Sequence, residues 1–298
     1  MLATFTRSQR TLLPVLLSGL ALCGAVVAGP LQAAQPSVPY VPTPQVVVDR
    51  MLAIAGVKAG DYLIDLGSGD GRIVITAAQK YGTRGFGVDL NPVRIREAEA
   101  NAVKAGVTDK VAFYERDLFE TDLSSASVIT MYLLPNVNLS LRPKLLKLAP
   151  GTRLVSHDFS MDEWKPDQFE QFEVKDKWGS GSSGTSSIYF WVVPAEVAGT
   201  WKWTMPVGRA QQTYELGFTQ RFQEITGIVH VNGKPNRVER AQLRGDRLTM
   251  AFTVDLGSGP VRHEFSGRVE GGTITGTARF SGDRVSGEND WRATRAGS

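Results

Sequence analysis

Apolar and polar positions change their spacing along the chain, and this change divides it into three parts. An apolar N-terminal run comes first. Between about residues 38 and 194, short apolar runs alternate with stretches of helical period, which is typical of strands alternating with helices. Beyond Pro194 the helical period disappears and a period of two residues takes over, as at Leu248, Met250 and Phe252. The pattern predicts an α/β part followed by an all-β part.

The α/β part is predicted to form a largely parallel sheet with helices on both faces. Its apolar runs predict strands at 62–66, 85–90, 111–114, 127–134 and 153–159, and an antiparallel pair at 169–178 and 188–193. Thr43 and Asn91 each precede a proline and are expected to cap helices. A further helix is expected at 139–148, with a kink at Pro143. In such sheets ligands bind beyond the carboxyl ends of the strands.

The all-β part, residues 199–298, is predicted to form an up-and-down antiparallel barrel of about eight strands. Glycine-containing turns separate the alternating runs. Trp201, Trp203 and Trp291 are expected to pack inside it, although a barrel of this size can also hold one small apolar ligand. The predicted strands are 199–207, 213–222, 225–231, 238–244, 248–256, 261–269, 273–280 and 290–294.

The N-terminal segment, residues 1–34, has the pattern of a secretory signal peptide. Arg7 and Arg10 precede an almost wholly apolar run from residue 12 to 27, and small residues follow it. Cleavage near Ala33 or Ala34 would place the mature chain in the periplasm or outside the cell. Alternatively, residues 12–28 stay as a membrane anchor, or cleavage occurs at a lipoprotein-type box before Cys23.

Composition and charge limit which partners and bound groups are expected. The chain has 298 residues and a net charge of +3, without a dense Lys/Arg cluster, so a nucleic-acid partner is not expected. Cys23 is the only cysteine, and its removal with the leader would leave no disulfide or thiolate site. His157, His230 and His263 lack ligand spacing, and no metal site is expected. The oligomeric state is not fixed by these features.

The richest motif is Asp65-Leu66-Gly67-Ser68-Gly69-Asp70-Gly71, which joins the first predicted strand to a helix. Glycines allow a tight turn and close approach of a ligand, but two carboxylates disfavour a diphosphate and suit a cationic ligand that carries an amino acid. Asp89 ends the second strand, where an acid can accept both hydrogen bonds of a ribose diol. Together these features indicate S-adenosylmethionine.

These residues, with Asp117, resemble the cofactor motifs of class I S-adenosylmethionine-dependent methyltransferases. Three further motifs resemble the small protein-lysine methyltransferase group that includes mitochondrial enzymes: Tyr40-Val41-Pro42-Thr43-Pro44, Met131-Tyr132-Leu133-Leu134-Pro135 and Ser156-His157-Asp158-Phe159. The resemblance covers about residues 38 to 194 and implies a seven-stranded Rossmann-like methyltransferase sheet in residues 35–195, while the strand pattern of residues 199–298 is lipocalin-like. The Asn/Asp-Pro-Pro-Tyr motif of many amino-methylating enzymes is absent.

The resemblance also implies residue roles. Asp65 would orient the glycine loop or the cofactor ammonium, and Tyr132 or Asp158 would orient an acceptor amine, with purely structural roles as the alternative for these two. The acceptor pocket would include Tyr40, Thr43 and Pro135. The implied cofactor-binding residues are Asp65, Gly67, Ser68, Gly69, Asp70, Gly71, Asp89, Leu90, Asp117 and Leu118.

The sequence therefore favours methyl transfer from S-adenosylmethionine to an amine, most simply a protein lysine, with a small amine as another acceptor. The alternative is an exported binding or assembly protein that keeps the fold without turnover and uses the barrel to bind a ligand or partner. Export would separate the site from cytoplasmic S-adenosylmethionine, which is what keeps this alternative open.

Overall fold

Two sheets follow one another in the computed structural model, which describes residues 4, 40–179, 181–257 and 259–297. The predicted leader or anchor thus lies outside the described residues, apart from Thr4. The part of the chain from Tyr40 onward forms one compact unit. Within the described ranges, no helix has the length and apolar character needed to cross a membrane, and no group of three or more His, Cys, Asp or Glu side chains is placed to hold a metal ion.

The first sheet has seven strands in the order β3-β2-β1-β4-β5-β7-β6. Strands β1 to β5 run parallel, and β7 pairs antiparallel with both β5 and β6. The elements are α1 (Gln45–Ile54), β1 (Tyr62–Leu66), α2 (Arg72–Tyr81), β2 (Arg84–Asp89), α3 (Pro92–Ala105), β3 (Val111–Glu115), β4 (Val128–Met131), α4 (Pro135–Leu145), β5 (Arg153–His157), β6 (Gln168–Val174) and β7 (Gly184–Val192).

Helices cover both faces of this sheet, because the central strands are apolar on both sides. One buried cluster joins α1, α2 and α3 to the sheet, and another joins α4 and the tryptophans Trp164 and Trp191 to the opposite face. The parallel α/β core with an antiparallel closing pair agrees with the sequence expectation. Its topology brings the carboxyl ends of β1, β2, β4 and β5 to one edge.

Two predicted helix starts had different outcomes. The Asn91 side chain accepts a hydrogen bond from the Val93 backbone N–H and caps α3 as expected. Thr43 does not cap α1: the N-cap residue is Pro44, without a side-chain cap. The Thr43 hydroxyl instead forms a hydrogen bond with the His157 ring, 114 residues away in sequence. A tertiary partner therefore replaces the local cap.

Helix α4 begins earlier than the predicted 139–148, at Pro135, and includes Pro143. Proline suits the first helical position, because the N–H that it lacks would have no partner within the helix and its φ is already helical. The sequence motif assigns Pro135 to a pocket, but the same residue is also a signal for a helix start, and this second signal explains the difference.

The second sheet is antiparallel and has nine strands in the order β11-β10-β9-β8-β16-β15-β14-β13-β12. The expected barrel of about eight strands is corrected in two respects: there is an additional strand, β11, and no ladder joins edge strands β11 and β12 within the described residues. The strands are β8 (Gly199–Val207), β9 (Ala210–Arg221), β10 (Glu224–Val231), β11 (Lys234–Arg237), β12 (Arg240–Arg244), β13 (Arg247–Asp255), β14 (Pro260–Glu270), β15 (Thr273–Ser281) and β16 (Ser286–Arg295).

Strand β11 escapes prediction because Lys234–Arg237 has no apolar alternation and contains Pro235. Proline is tolerated at an edge strand, where its missing N–H is not needed for a ladder. Strands β8 and β16, which are the first and last of the second sheet in sequence, pair with each other at its centre. The sheet curls around an apolar interior. Trp201, Trp203 and Trp291 are buried there, as the alternation predicts.

The turn between β9 and β10 packs on the first sheet's domain. The Gln223 side chain accepts a hydrogen bond from the Trp164 indole N–H at 3.0 Å and donates one to the Lys165 carbonyl at 2.7 Å. The Phe222 ring stacks on Trp164 with 5.9 Å between centroids. Since Trp164 is fully buried, the second sheet completes the packing around the segment that follows Asp158.

Candidate functional site

The glycine loop after β1 turns sharply over the neighbouring strand. The backbone N–H groups of Gly67 and Ser68 both donate to the Val88 carbonyl at 2.9 Å. Gly67 and Gly69 have φ values of 75° and 53°, which glycine adopts without the penalty of a side chain. The loop is thus fixed to β2 and leads directly into α2.

Side chains from other parts of the chain pack closely against this loop. A Cβ atom at Gly67 would lie 2.8 Å from the Leu133 side chain, and one at Gly69 would lie 2.4 Å from the Tyr40 ring. The Ser68 hydroxyl is buried and has no hydrogen-bond partner within the described residues. An unpaired buried hydroxyl is costly, and the Ser68 side chain lies against Gly87 of β2, where a Cβ atom would be 2.5 Å from the hydroxyl oxygen.

Asp89, the last residue of β2, ties the loop to the start of α3. Its carboxylate accepts hydrogen bonds from the backbone N–H groups of Gly69 at 3.0 Å and Asn91 at 2.9 Å. Leu90 beside it is 52% exposed. This places a fixed acid at the carboxyl end of β2, where the sequence predicts a residue that holds a ribose.

Asp65 lies beneath the loop and is 2% exposed. Its carboxylate accepts a hydrogen bond from the Thr130 hydroxyl at 2.7 Å. Burial raises the pKa of Asp65 to about 7, and the negative charges of Asp70 and Asp89 add to this rise, while the Thr130 hydrogen bond opposes it. A cationic ligand above the loop would stabilise the ionised form.

Asp70 is engaged differently from the sequence expectation of a second carboxylate free for a cationic ligand. It pairs with Arg72, whose Nε lies 2.9 Å from Asp70 Oδ1. Burial acts to raise the pKa of Asp70, but the hydrogen bonds and charge of Arg72 outweigh it and lower that pKa. Arg72 also donates to the Thr43 carbonyl at 2.9 Å. Asp70 therefore anchors the chain before α1 to the loop.

Asp117 and Leu118 follow β3 and are half-buried. The Asp117 carboxylate accepts a hydrogen bond from the Phe119 N–H at 2.8 Å, and its carbonyl accepts one from the Thr121 hydroxyl at 2.8 Å. Leu118 packs against the apolar cluster on the α4 face of the sheet. Both residues thus lie on a fixed turn that follows the strand next to β2.

A second group of polar side chains follows β4 and β5. The Tyr132 hydroxyl donates to Asp158 Oδ2 at 3.3 Å, and the Tyr132 ring lies 4.0 Å from the His157 ring, measured between centroids. Burial raises the pKa of Tyr132 to about 12, with a further contribution from the charge of Asp158. Burial lowers the pKa of His157 to about 4, against the opposing effect of Asp158. At neutral pH the phenol stays protonated and the imidazole stays neutral.

Asp158 is held in a left-handed conformation with φ 60°. Its N–H donates to the Ser187 carbonyl at 2.7 Å, and its Oδ1 accepts from the Ser187 N–H at 2.9 Å. Such conformations are uncommon outside glycine and persist where the surroundings enforce them. The two hydrogen bonds to Ser187 of β7 therefore fix the orientation of the Asp158 carboxylate.

The third group, formed by the predicted pocket residues Tyr40, Thr43 and Pro135, is only partly brought together. Tyr40 covers Gly69, and the Arg94 guanidinium lies 4.5 Å from the centre of its ring. Thr43 joins the glycine loop to the residues after β5, because its carbonyl accepts a hydrogen bond from Arg72 and its hydroxyl forms one with His157. Pro135 is exposed at the start of α4, where it has a structural role in that helix.

Lys177 is a site residue that sequence reasoning misses. It lies in the β6–β7 turn, its Nζ donates to Asp158 Oδ2 at 2.6 Å and to the Thr185 carbonyl, and the residue is 7% exposed. Arg72 is missed as well, although its position directly after the glycine loop is a usable signal. Nothing local marks Lys177, because only the hairpin's tertiary packing brings it to Asp158.

Fold and site together define a class I S-adenosylmethionine-dependent methyltransferase. The strand order, the glycine loop over β2 and the acid at the end of β2 fit this cofactor. The family model described as the ANTKMT methyltransferase domain matches residues 65–168.

Two protein-lysine methyltransferases agree with this class. A protein-lysine N-methyltransferase of Saccharolobus islandicus (strain REY15A) is 52% identical over 140 residues, which is 46% of this chain and 87% of that protein. The adenine nucleotide translocase lysine N-methyltransferase of Mus musculus is 35% identical over 130 residues, and the match spans only 56% of its length. An RNA methyltransferase structure from Salinibacter ruber in complex with S-adenosyl-L-homocysteine shows 49% identity and a TM-score of 0.48, covering 53% of this chain and 96% of that one.

The chain belongs to this ANTKMT-type methyltransferase family, and its cofactor is S-adenosylmethionine. The alternative of a non-catalytic binding protein is not favoured by these relatives.

Proposed function

We propose that this chain transfers the methyl group of S-adenosylmethionine to the side-chain amine of protein lysines. The observation that carries the proposal is the pair Tyr132 and Asp158, which follows β4 and β5 and already binds a lysine ammonium. Leu133, next to Tyr132, reaches the glycine loop, so this amine site adjoins the cofactor end of the sheet. The relatives named protein-lysine methyltransferases support the same acceptor.

In this proposal the cofactor is held by the residues around the first two strands. The loop residues Gly67, Ser68, Gly69 and Gly71 would border its methionine part, with Asp65 balancing the ammonium charge. Asp89 and Leu90 would hold the ribose, and Asp117 and Leu118 would flank the adenine. Asp70 supports the loop through Arg72 rather than through the ligand.

The bound cofactor supplies a methyl group activated on a sulfonium. The protein's contribution is to align the acceptor, and alignment of reacting groups can be worth about 7–11 kcal/mol. A free lysine has a pKa of about 10.4, so its ammonium must lose a proton before its lone pair can attack. Asp158 and the protonated Tyr132 hydroxyl would orient the amine, while the neutral His157 ring packs behind Tyr132 and adds no competing positive charge.

Methyl transfer to a lysine-containing peptide, followed by hydrolysis and amino-acid analysis, tests the proposal. We expect labelled methyl-lysine from the wild-type chain and a strongly reduced rate from Asp158→Asn, with cofactor affinity retained. Asp162→Asn is the matched control, since Asp162 also follows β5, also has a positive φ and is exposed. Label in RNA instead of lysine would overturn the acceptor assignment.

We also propose the domain boundaries 35–195 and 199–298, with residues 1–34 as an export signal and the mature chain in the periplasm or outside the cell. A membrane anchor through residues 12–28 is the competing outcome. The apolar run after Arg7 and Arg10 supports export, and the pairing of β8 with β16 supports a lipocalin-like second domain. Mass spectrometry of the native N-terminus tests export: a start at Met1 or Leu2 would contradict cleavage.

A further inference from the structure

Lys177 is buried, with 7% of its surface exposed, and lysines are almost never fully buried unless they are paired. Its ammonium lies 2.6 Å from Asp158 Oδ2 and also donates to the Thr185 carbonyl. The Trp178 ring lies 5.5 Å from Nζ, measured to its centroid. A carboxylate, a carbonyl and an aromatic ring thus surround one amine.

The position of this amine coincides with the proposed acceptor site. Asp158 Oδ2 accepts hydrogen bonds from both the Lys177 ammonium and the Tyr132 hydroxyl. The same end of the sheet is joined to the cofactor loop through the contact of Leu133 with Gly67 and through Thr43, which bonds to both Arg72 and His157. Lys177 therefore presents its amine on the side of the site where an acceptor lysine has to lie.

The turn is held by Asp176 as well as by Lys177, whose backbone N–H donates to the Ser182 carbonyl at 3.1 Å. Asp176 holds it, because its carboxylate accepts a hydrogen bond from the Gly181 N–H at 2.6 Å and its carbonyl accepts one from the Gly179 N–H at 3.2 Å. A Cβ at Gly184 would lie 2.6 Å from the Trp178 ring and 3.1 Å from Lys177 Cδ. The missing side chain of Gly184 thus leaves room for Lys177 to reach Asp158.

We infer that Lys177 occupies the acceptor position of this chain's own site and is methylated there by the same molecule. The inference rests on the proposed lysine methylation. One proton of the ammonium passes to water, the nitrogen lone pair forms the new N–C bond, and the bond between the sulfonium sulfur and the methyl carbon breaks. The electron pair of that bond stays on sulfur, giving a thioether and a methylated ammonium.

Peptide mapping of the purified full chain after incubation with labelled S-adenosylmethionine tests this inference. We expect methyl label on Lys177, at a rate per molecule that does not change with protein concentration, since the reaction is intramolecular. Lys177→Arg should lose this label. Lys175→Arg, which changes an exposed lysine in the same turn, should keep it.

An external lysine-containing peptide separates the two possible failures. Label on the peptide but none on Lys177 of the wild-type chain would overturn self-methylation and leave the proposed function standing. Label on neither, while calorimetry shows cofactor binding, would overturn both. A labelling rate per molecule that rises in proportion to protein concentration would also contradict the intramolecular reaction.

Discussion

Replacement of Asp89 by asparagine tests the cofactor end of the site. The carboxylate accepts hydrogen bonds from two backbone N–H groups, those of Gly69 and Asn91, at 3.0 and 2.9 Å. An asparagine keeps one acceptor oxygen and turns an NH₂ group, which is a donor, toward the other N–H. At least one charge-assisted hydrogen bond is therefore lost, while the bonds from Gly67 and Ser68 to the Val88 carbonyl still join the loop to β2.

The bonds to Gly69 and Asn91 exist with or without the ligand, so their loss acts on the loop; the expected change in affinity follows from the proposed hydrogen bond between the Asp89 carboxylate and the ribose. A hydrogen bond to a charged group contributes about 1.5–3 kcal/mol, and each 1.4 kcal/mol changes affinity about tenfold. We expect Asp89→Asn to weaken binding of S-adenosylmethionine roughly 10- to 100-fold.

Isothermal titration calorimetry with S-adenosylmethionine and S-adenosylhomocysteine measures the effect. Asp122→Asn is the matched control: Asp122 also accepts a backbone hydrogen bond two residues ahead, from the Ser124 N–H, but it lies at an exposed turn after β3. The control should bind like the wild type. An Asp89→Asn chain that remains folded and binds within about twofold of the wild type would refute the reasoning.

Three further predictions concern the free energy of unfolding. The pKa of Asp65 is about 7 in the folded chain, against 3.8 for an unperturbed aspartate, so folding favours the protonated carboxyl. The free energy of unfolding should therefore fall by up to about 4 kcal/mol as pH rises from about 4 to 7; urea unfolding at several pH values should show this fall, and Asp65→Asn should abolish it. Gly71→Ala should cost about 1–3 kcal/mol more than Gly56→Ala, because both glycines have positive φ but only Gly71 is crowded; equal losses in thermal unfolding would contradict this. Gln223→Ala should cost about 1–3 kcal/mol by leaving the Trp164 indole N–H unpaired; denaturant unfolding without a shift would contradict it.

The sequence is most informative where a function depends on local backbone. The glycine loop at 67–71 and the acid at the end of β2 are set by a strand, a turn and a helix start that adjoin in sequence, so their positions are predictable. The alternation beyond residue 199 likewise predicts the buried tryptophans. These features need no knowledge of distant partners.

Other features depend on contacts that sequence spacing does not show. Thr43 has the pattern of a helix cap, but a histidine far along the chain takes its hydroxyl. Asp70 is expected from the sequence to be free for a ligand, but Arg72 neutralises it. Lys177 carries no motif, since only the packing of the β6–β7 turn against β5 brings it to Asp158. Strand β11 forms at an edge because its neighbour offers a ladder.

We propose that this chain methylates lysine amines with S-adenosylmethionine held at the ends of β1 and β2. The most direct measurement is mass-spectrometric identification of the residues that receive an isotope-labelled methyl group in a protein extract, with the wild-type chain and Asp89→Asn compared at equal concentration. We expect label on lysine side chains with the wild type and a much lower rate with the variant. Label on other residue types, or equal labelling by both chains, would contradict it.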